Sequence, residues 1–266
     1  MEVFSKNFEA DRIKKITVLR PQIKITNSII SLRLKPAEII ACNLFDIVFI
    51  WKLNTKNSHK TMPLKYLALG DSYTVGESVP KEKSFPYQLA AKLNLAGIEM
   101  FPPEIIATTG WTTDELIKAI NEKNLREKFD LVTLLIGVNN QYRGYSKGNY
   151  RKEFKDLLKA ALFFAGHNKS HVMVISIPDW GLTPFALKSG RDIQKVSTQI
   201  KAFNLINEKE AIKAQVGYLD VSKTFLVAAT DLSFFSDDGL HPSEKLYDLW
   251  ADKLAKMLSS EFIQAS

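Results

Sequence analysis

From Tyr66 onward, short apolar runs alternate with segments whose apolar residues recur every three or four positions. Buried parallel strands are typically continuous apolar runs, whereas helices that cover a sheet carry one apolar stripe. The runs predict five strands, over 66–69, 104–108, 131–136, 172–177 and 217–221. Because strand–helix alternation requires a parallel sheet with helices on both faces, the sequence predicts a three-layer α/β/α fold.

Capping and stop signals place the helices between these strands. Ser84 followed by Pro86 predicts a helix start, and Gly97 predicts its end. Thr112 and Glu115 have the spacing of a capping box for the next helix. Helical spacing or length predicts three more helices, over 150–165, over 192–214 and from about 243, the last with an apolar face that reaches Phe262.

Five strand–helix units with right-handed crossovers are most economically arranged in the flavodoxin-like sheet order 2-1-3-4-5. Strands 1 and 3 are then neighbours, and ligands bind in the crevice beyond their carboxyl ends. We therefore look for chemistry in the segments that directly follow strands 1, 2 and 3.

The net charge of +7 is unevenly distributed along the chain. Residues 1–61 hold 11 lysines and arginines against 5 acidic residues, whereas residues 62–266 hold 25 against 24. A basic segment can bind nucleic acid or anionic lipid. The rest of the chain is nearly neutral and has no basic module with interleaved aromatic residues, so we expect no nucleic-acid partner.

Residues 1–61 lack the periodicity of a folded domain, and two interpretations stay open for them. They form a basic extension, disordered or carrying a docking helix, or the natural start is Met62, which leads directly into strand 1. Their apolar run over 39–53 is too short to span a bilayer and has no cleavage site of a signal peptide. We therefore expect a domain over 62–266, no stable membrane span and a cytoplasmic location.

A single cysteine, Cys42, excludes an intramolecular disulfide, and the four histidines are scattered along the chain. Neither pattern is typical of a metal site, so we expect no metal and no cofactor.

Two polar segments are candidates for chemistry. Ser72 follows strand 1 between Gly70 and Gly76, where a tight turn can aim its hydroxyl into the crevice, although a simple polar cap has the same pattern. Near the end of the chain, Asp238 precedes His241 by three residues. Such a carboxylate can bond the ring Nδ1 and leave Nε2 free as a base, although helix entries with a surface histidine look similar.

Four blocks occur in order at predicted strand ends, namely 70–72 (Gly-Asp-Ser), Gly110, 137–139 (Gly-Val-Asn) and 238–241 (Asp-Gly-Leu-His). In this the chain resembles the SGNH (GDSL-type) hydrolase superfamily over residues 65 to about 260. The resemblance implies a serine esterase with Ser72 as nucleophile, His241 as general base and Asp238 as its orienting acid. It also implies an oxyanion hole made by the backbone N–H groups of Ser72 and Gly110 and the Asn139 amide.

Several further positions bear on this resemblance. Asn140 stands where the third block usually has an acid, which affects local geometry rather than the catalytic groups. Asp237 is the fallback for Asp238, and Asp71 is expected to anchor the turn. Ser146 lies in a Gly-x-Ser-x-Gly pattern, but the polar stretch before it is not a strand, so we interpret it as a loop residue. Trp180 and Phe185, after strand 4, either line a substrate pocket or pack over the sheet.

Several functions remain compatible with these residues. The leading one is a carboxylesterase or acylesterase acting on a small-molecule, glycan or lipid ester. The same residues would serve an acyltransferase, a lysophospholipase or a thioesterase, and a non-catalytic binding domain on this scaffold is the remaining alternative. The sequence does not distinguish a monomer from a dimer.

Overall fold

A computed structural model describes residues 62–264 of the chain. Its five strands form one parallel sheet in the order 2-1-3-4-5, so the predicted fold class is confirmed. The strands are β1 Tyr66–Gly70, β2 Glu104–Ala107, β3 Leu131–Leu135, β4 Val172–Ile175 and β5 Gly217–Leu219. Strands β2 to β5 end one or two residues earlier than the apolar runs predict, because the last residues of each run already belong to the following loop.

Nine α-helices are described within residues 62–264. They are α1 Ser72–Val75, α2 Phe85–Leu95, α3 Thr113–Lys123, α4 Val138–Tyr142, α5 Lys147–Phe164, α6 Pro184–Lys188, α7 Ile193–Ala214, α8 Ser222–Ala228 and α9 Glu244–Gln264. The predicted long helices are all present. The short helices α1, α4, α6 and α8 were not predicted, since four to seven residues are too few to show a helical period.

Strand register brings the ends of three strands together. The last residue of β1, Gly70, pairs with Ala107 of β2 on one side and with Leu135 of β3 on the other. The segments that follow these three residues therefore leave the sheet side by side. This is the crevice in which ligands bind in such sheets.

The C-terminal helix α9 packs against α2 on one face of the sheet, while α3, α5 and α7 pack together on the other. The buried stripe of α9 includes Leu246, Trp250 and Leu254, and Trp250 Nε1 donates a hydrogen bond to Thr224 Oγ1 at 2.9 Å. Each such side chain contributes roughly 1.5–3 kcal/mol on burial. This packing fixes the start of α9, just after His241.

The predicted basic segment 1–61, with its apolar run over 39–53, lies outside the described residues. The domain boundary at residue 62 therefore stays a prediction. Within residues 62–264, no helix combines the length and the apolar character that crossing a membrane requires.

Candidate active site

The turn after β1 holds Ser72 in a buried position at the mouth of the crevice. Asp71 caps α1, because its Oδ1 accepts the Tyr73 N–H at 3.1 Å, and Ser72 is the first helical residue. A side chain on Gly70 would place its Cβ only 2.1 Å from Thr74 Oγ1 and 2.4 Å from the Leu135 carbonyl oxygen. Glycine at position 70 is therefore what allows the tight exit from the strand.

His241 lies between Ser72 and Asp238. Its Nε2 is 3.0 Å from Ser72 Oγ, and its Nδ1 is 2.7 Å from Asp238 Oδ2. The Asp238 Oδ1 accepts the backbone N–H groups of Leu240 and His241 at 2.8 and 2.9 Å. The loop 238–241 thus folds the carboxylate back onto its own backbone and aims it at the ring of His241.

Asp238 is an ionised carboxylate at neutral pH. Partial burial on its own would raise its pKa, but four donors outweigh that cost and hold the pKa at about 2. The donors are the His241 ring, the backbone N–H groups of His241 and Leu240, and the Ser78 hydroxyl. A negative charge therefore faces Nδ1 of the ring whose Nε2 meets Ser72.

One pocket of about 210 Å³ joins four of the predicted residues, since Ser72, Gly110, Asn139 and His241 all line it. Its remaining wall is mainly apolar and aromatic, formed by Tyr73, Val138, Tyr142, Trp180, Phe185 and Leu240. Trp180 is also buried, and its Nε1 donates to Gln141 Oε1 at 2.8 Å. Both interpretations of Trp180 therefore hold, because it lines the pocket and packs within the fold.

Gly110 and Asn139 each make a hydrogen bond to a neighbouring segment. Gly110 has a φ of +88°, a left-handed backbone that favours glycine, and its carbonyl accepts Arg143 Nη2 at 2.7 Å. The Asn139 amide donates to the Trp111 carbonyl at 2.9 Å. Because an amide nitrogen carries two protons, this hydrogen bond uses only one of them.

The alternative residues occupy other positions. Ser146 is exposed and caps α5, where its Oγ accepts the Asn149 N–H at 3.2 Å, and α4 rather than a strand precedes it. Asp237 is exposed, and its neighbour Asp238 is the acid that bonds His241. Asn140 is fully buried and faces Thr113 at the start of α3.

Sequence reasoning missed several residues at this site, among them Tyr142, Arg143 and Ser78. Tyr142 forms part of the pocket wall, Arg143 holds the Gly110 carbonyl, and Ser78 donates to Asp238. A tyrosine and an arginine in a polar stretch, or a serine two residues after a glycine, carry no local signal for such roles. Among the described residues, no group of three or more histidine, cysteine or acidic side chains is arranged to hold a metal ion.

The site combines residues that follow β1 to β3 (Ser72, Gly110 and Asn139) with Asp238 and His241, which lie in the loop before α9. The chain belongs to the GDSL-like lipase/acylhydrolase family, whose model matches residues 68–249. This confirms the predicted superfamily and the class of enzyme, an ester hydrolase. A comparison with curated proteins found no match.

Several solved structures share the fold. A lipase/acylhydrolase from Enterococcus faecalis is 21% identical with a TM-score of 0.59, over 74% of this chain and 96% of its own. The esterase EstA from Pseudoalteromonas sp. is 15% identical with a TM-score of 0.56, over 74% and 98%. The acetylxylan esterase Axe2 from Geobacillus stearothermophilus is 15% identical with a TM-score of 0.56, over 74% and 96%.

Proposed function

We propose that the chain is a carboxylesterase or acylesterase in which Ser72 is the nucleophile, His241 the general base and Asp238 its orienting acid. One observation carries this proposal. An unbroken hydrogen-bond series links Ser72 Oγ to His241 Nε2 at 3.0 Å and His241 Nδ1 to Asp238 Oδ2 at 2.7 Å. Such a series activates a serine hydroxyl and stabilises the imidazolium that forms.

In the first half of the reaction, Ser72 Oγ attacks the ester carbonyl carbon while its proton moves to Nε2 of His241. The tetrahedral intermediate then collapses, the bond to the leaving alcohol breaks, and the alcohol takes the proton from Nε2. In the second half, water gives a proton to Nε2 and attacks the acyl-enzyme, and Ser72 regains its proton as the acid leaves.

The carbonyl oxygen becomes negative in each tetrahedral intermediate and needs donors at that moment. Ser72, Gly110 and Asn139 line the same pocket, so we assign the backbone N–H groups of the first two and the side-chain amide of Asn139 to the oxyanion. One donor of this kind is typically worth about 2.7–4 kcal/mol in the transition state.

The pocket favours a small ester with an uncharged, apolar acyl group. Its volume of about 210 Å³ is below the roughly 300–1,000 Å³ of sites for drug-sized ligands. Its wall carries Tyr142, Trp180, Phe185 and Leu240, which suit a short hydrocarbon chain. We therefore place small-molecule or glycan esters with short acyl groups before long-chain lipid esters.

Two measurements on the full-length chain test the proposal. The first is hydrolysis of p-nitrophenyl esters from acetyl to palmitoyl, together with acetylated xylan and a lysophospholipid. The second is labelling by a fluorophosphonate, followed by mass spectrometry of the labelled peptide. We expect turnover to be highest for the short esters and the adduct to lie on Ser72, with both lost in Ser72→Ala.

Ser146→Ala is the matched control, because it removes the rival serine, and it should keep both turnover and labelling. An adduct on Ser146, or full turnover by Ser72→Ala, contradicts the proposal. Transfer of the acyl group to an added alcohol, in place of release as free acid, would identify an acyltransferase that uses the same residues.

A further inference from the structure

The loop that follows α1 contains a backbone outlier at Ser78. Ser78 has a φ of +67°, in the left-handed region that non-glycine residues rarely adopt. Gly76, two residues earlier, has a φ of +82°, which causes no strain because glycine has no Cβ. Glycine at position 78 would therefore give the same loop without strain. Strained residues cluster at active sites, so the strain at Ser78 indicates that its side chain has a role that glycine could not fill.

The Ser78 hydroxyl reaches the acid of the proposed triad. Ser78 Oγ donates to Asp238 Oδ2 at 2.8 Å, and the same oxygen lies 2.7 Å from His241 Nδ1. The other oxygen, Oδ1, takes two backbone N–H groups of the loop 238–241. Each oxygen of the carboxylate thus has two donors. Ser78 is the one donor of these four that comes from outside the loop 238–241.

The loop that carries Ser78 is tied to the nucleophile and to the oxyanion side of the pocket. The backbone N–H groups of Gly76 and Glu77 both donate to the Ser72 carbonyl at 3.0 Å. The Glu77 carboxylate accepts the hydroxyl of Thr109, the residue before Gly110. The position of Ser78 is therefore set relative to Ser72 rather than by a free surface loop.

We propose that Ser78 is a positioning residue, which holds the Asp238 carboxylate in the plane that orients His241 toward Ser72. The proposal rests on the proposed function, because it assigns a role within that triad. Asp238 is about one-third exposed, so without Ser78 its Oδ2 is left to mobile water. A fixed donor keeps the carboxylate aligned throughout the reaction, whereas water has to reorganise.

The test is Ser78→Gly in the full-length chain, with kcat and KM for p-nitrophenyl acetate and the melting temperature measured beside wild type. Glycine removes the hydroxyl and relieves the left-handed strain together. We expect an equal or higher melting temperature, a fall in kcat of at least threefold and a KM within twofold of wild type. Both acylation and deacylation use the His241–Asp238 pair, so kcat reports on it whichever step limits the rate.

His167→Gly is the matched control. His167 has a φ of +64° in the exposed turn between α5 and β4, at the opposite end of the strands from the site. The same relief of strain there should leave kcat unchanged. An unchanged kcat in Ser78→Gly overturns the proposal. So does a fall in kcat that comes with a lower melting temperature, since Ser78 would then serve only the fold.

The result for Ser72→Ala separates this inference from the proposed function. If Ser72→Ala is inactive and Ser78→Gly turns over like wild type, only the role of Ser78 fails. If Ser72→Ala keeps full turnover, the triad itself fails, and the role of Ser78 fails with it.

Discussion

Asn140 and Thr113 exchange two hydrogen bonds between α4 and α3, and both residues are fully buried. The Thr113 N–H donates to Asn140 Oδ1 at 3.1 Å, and the Asn140 amide donates to Thr113 Oγ1 at 2.7 Å. The Thr113 hydroxyl gives its own proton to Glu153. Because a hydroxyl has a single proton, the side chain at position 140 must supply a donor. Asparagine does so, whereas the acid usual in this family, when ionised, does not.

We therefore predict that Asn140→Asp destabilises the protein at pH 8. The variant would bury a second carboxylate on a hydroxyl already used by Glu153, and an unpaired buried charge costs on the order of 3 kcal/mol. Thermal melting measures the effect, which should shrink at pH 5 as the new acid gains a proton. Asn149→Asp, the same change at an exposed position of α5, should leave the melting temperature nearly unchanged. Equal melting temperatures for the two variants would refute this account.

Asp238→Asn and Asp237→Asn form a matched pair at neighbouring positions. Asparagine at 238 presents an amide in place of the oxygen that faces His241 Nδ1, so we expect kcat to fall by on the order of 10³-fold or more. Asp237 is exposed, so Asp237→Asn should stay within twofold of wild type. Steady-state kinetics on p-nitrophenyl acetate decides between them. A large loss in Asp237→Asn, with little loss in Asp238→Asn, would assign the acid to position 237.

The low pKa of Asp238 also predicts the shape of the pH profile. With a pKa of about 2, this carboxylate stays ionised above about pH 4 and contributes no titration there. We therefore expect the profile of kcat/KM against pH to contain no step from Asp238 above about pH 4. A pH series of kcat/KM in the presence of EDTA checks this, and we expect chelation to leave the profile unchanged. Loss of activity in EDTA that a divalent ion restores would indicate metal-assisted chemistry instead.

Asp71 should make stability fall as pH rises. Complete burial raises its pKa to about 7, against the hydrogen bond that its Oδ1 accepts from the Tyr73 N–H. An unfolded aspartate titrates near pH 4, so between about pH 4 and 7 the folded protein holds a proton that the unfolded chain has released. The stabilising contribution of the protonated form is therefore complete below about pH 4 and is lost as pH rises through about 7.

Asp71→Asn keeps the oxygen that caps α1 but cannot ionise. We predict that it melts above wild type at pH 8, by on the order of 3 kcal/mol in unfolding free energy, and that most of this difference is gone at pH 5. Asp192→Asn is the control, because Asp192 caps α7 in the same way but is exposed. A constant difference between Asp71→Asn and wild type from pH 5 to 8 would show that Asp71 does not titrate in this range.

Most of the fold could be predicted because its signals are local. Continuous apolar runs identified all five strands, and the capping box at Thr112 and Glu115 marked the start of α3. The prediction of Ser84 as an N-cap was only partly right. Helix α2 begins at Phe85, but the Ser84 hydroxyl donates to the Lys81 carbonyl and caps no helix N–H. Ser84 is held by the preceding short helical turn Lys81–Lys83, which has no periodic signal in the sequence.

In the candidate site, too, local motifs predicted some residues, whereas contacts that depend on loop paths were not predicted. Ser72 and His241 could be proposed because each lies in a short motif, and the sheet order implied that strand ends meet. The contact between Ser78 and Asp238 joins residues 160 positions apart, and it depends on the path of a loop after α1. The hydrogen bond from Arg143 to the Gly110 carbonyl depends on α4, a helix of five residues. Neither loop path nor so short a helix leaves a periodic pattern in the sequence.

The last prediction concerns the boundary at residue 62. Every strand of the sheet, the helices on both faces and all residues assigned to the triad and oxyanion hole lie within residues 62–264. A chain of about 200 residues is long enough to bury a core of its own. We therefore expect residues 62–266 to fold alone and to match the full-length chain in kcat/KM for p-nitrophenyl acetate and in melting temperature.

The rival hypothesis is that residues 39–53 bury several large apolar side chains on this domain. Their removal would then cost roughly 1.5–3 kcal/mol for each buried side chain, a large part of a typical stability of about 5–15 kcal/mol. Parallel melting curves and kinetics of the two proteins distinguish these outcomes, and an insoluble or inactive 62–266 fragment would place residues 1–61 within the enzyme.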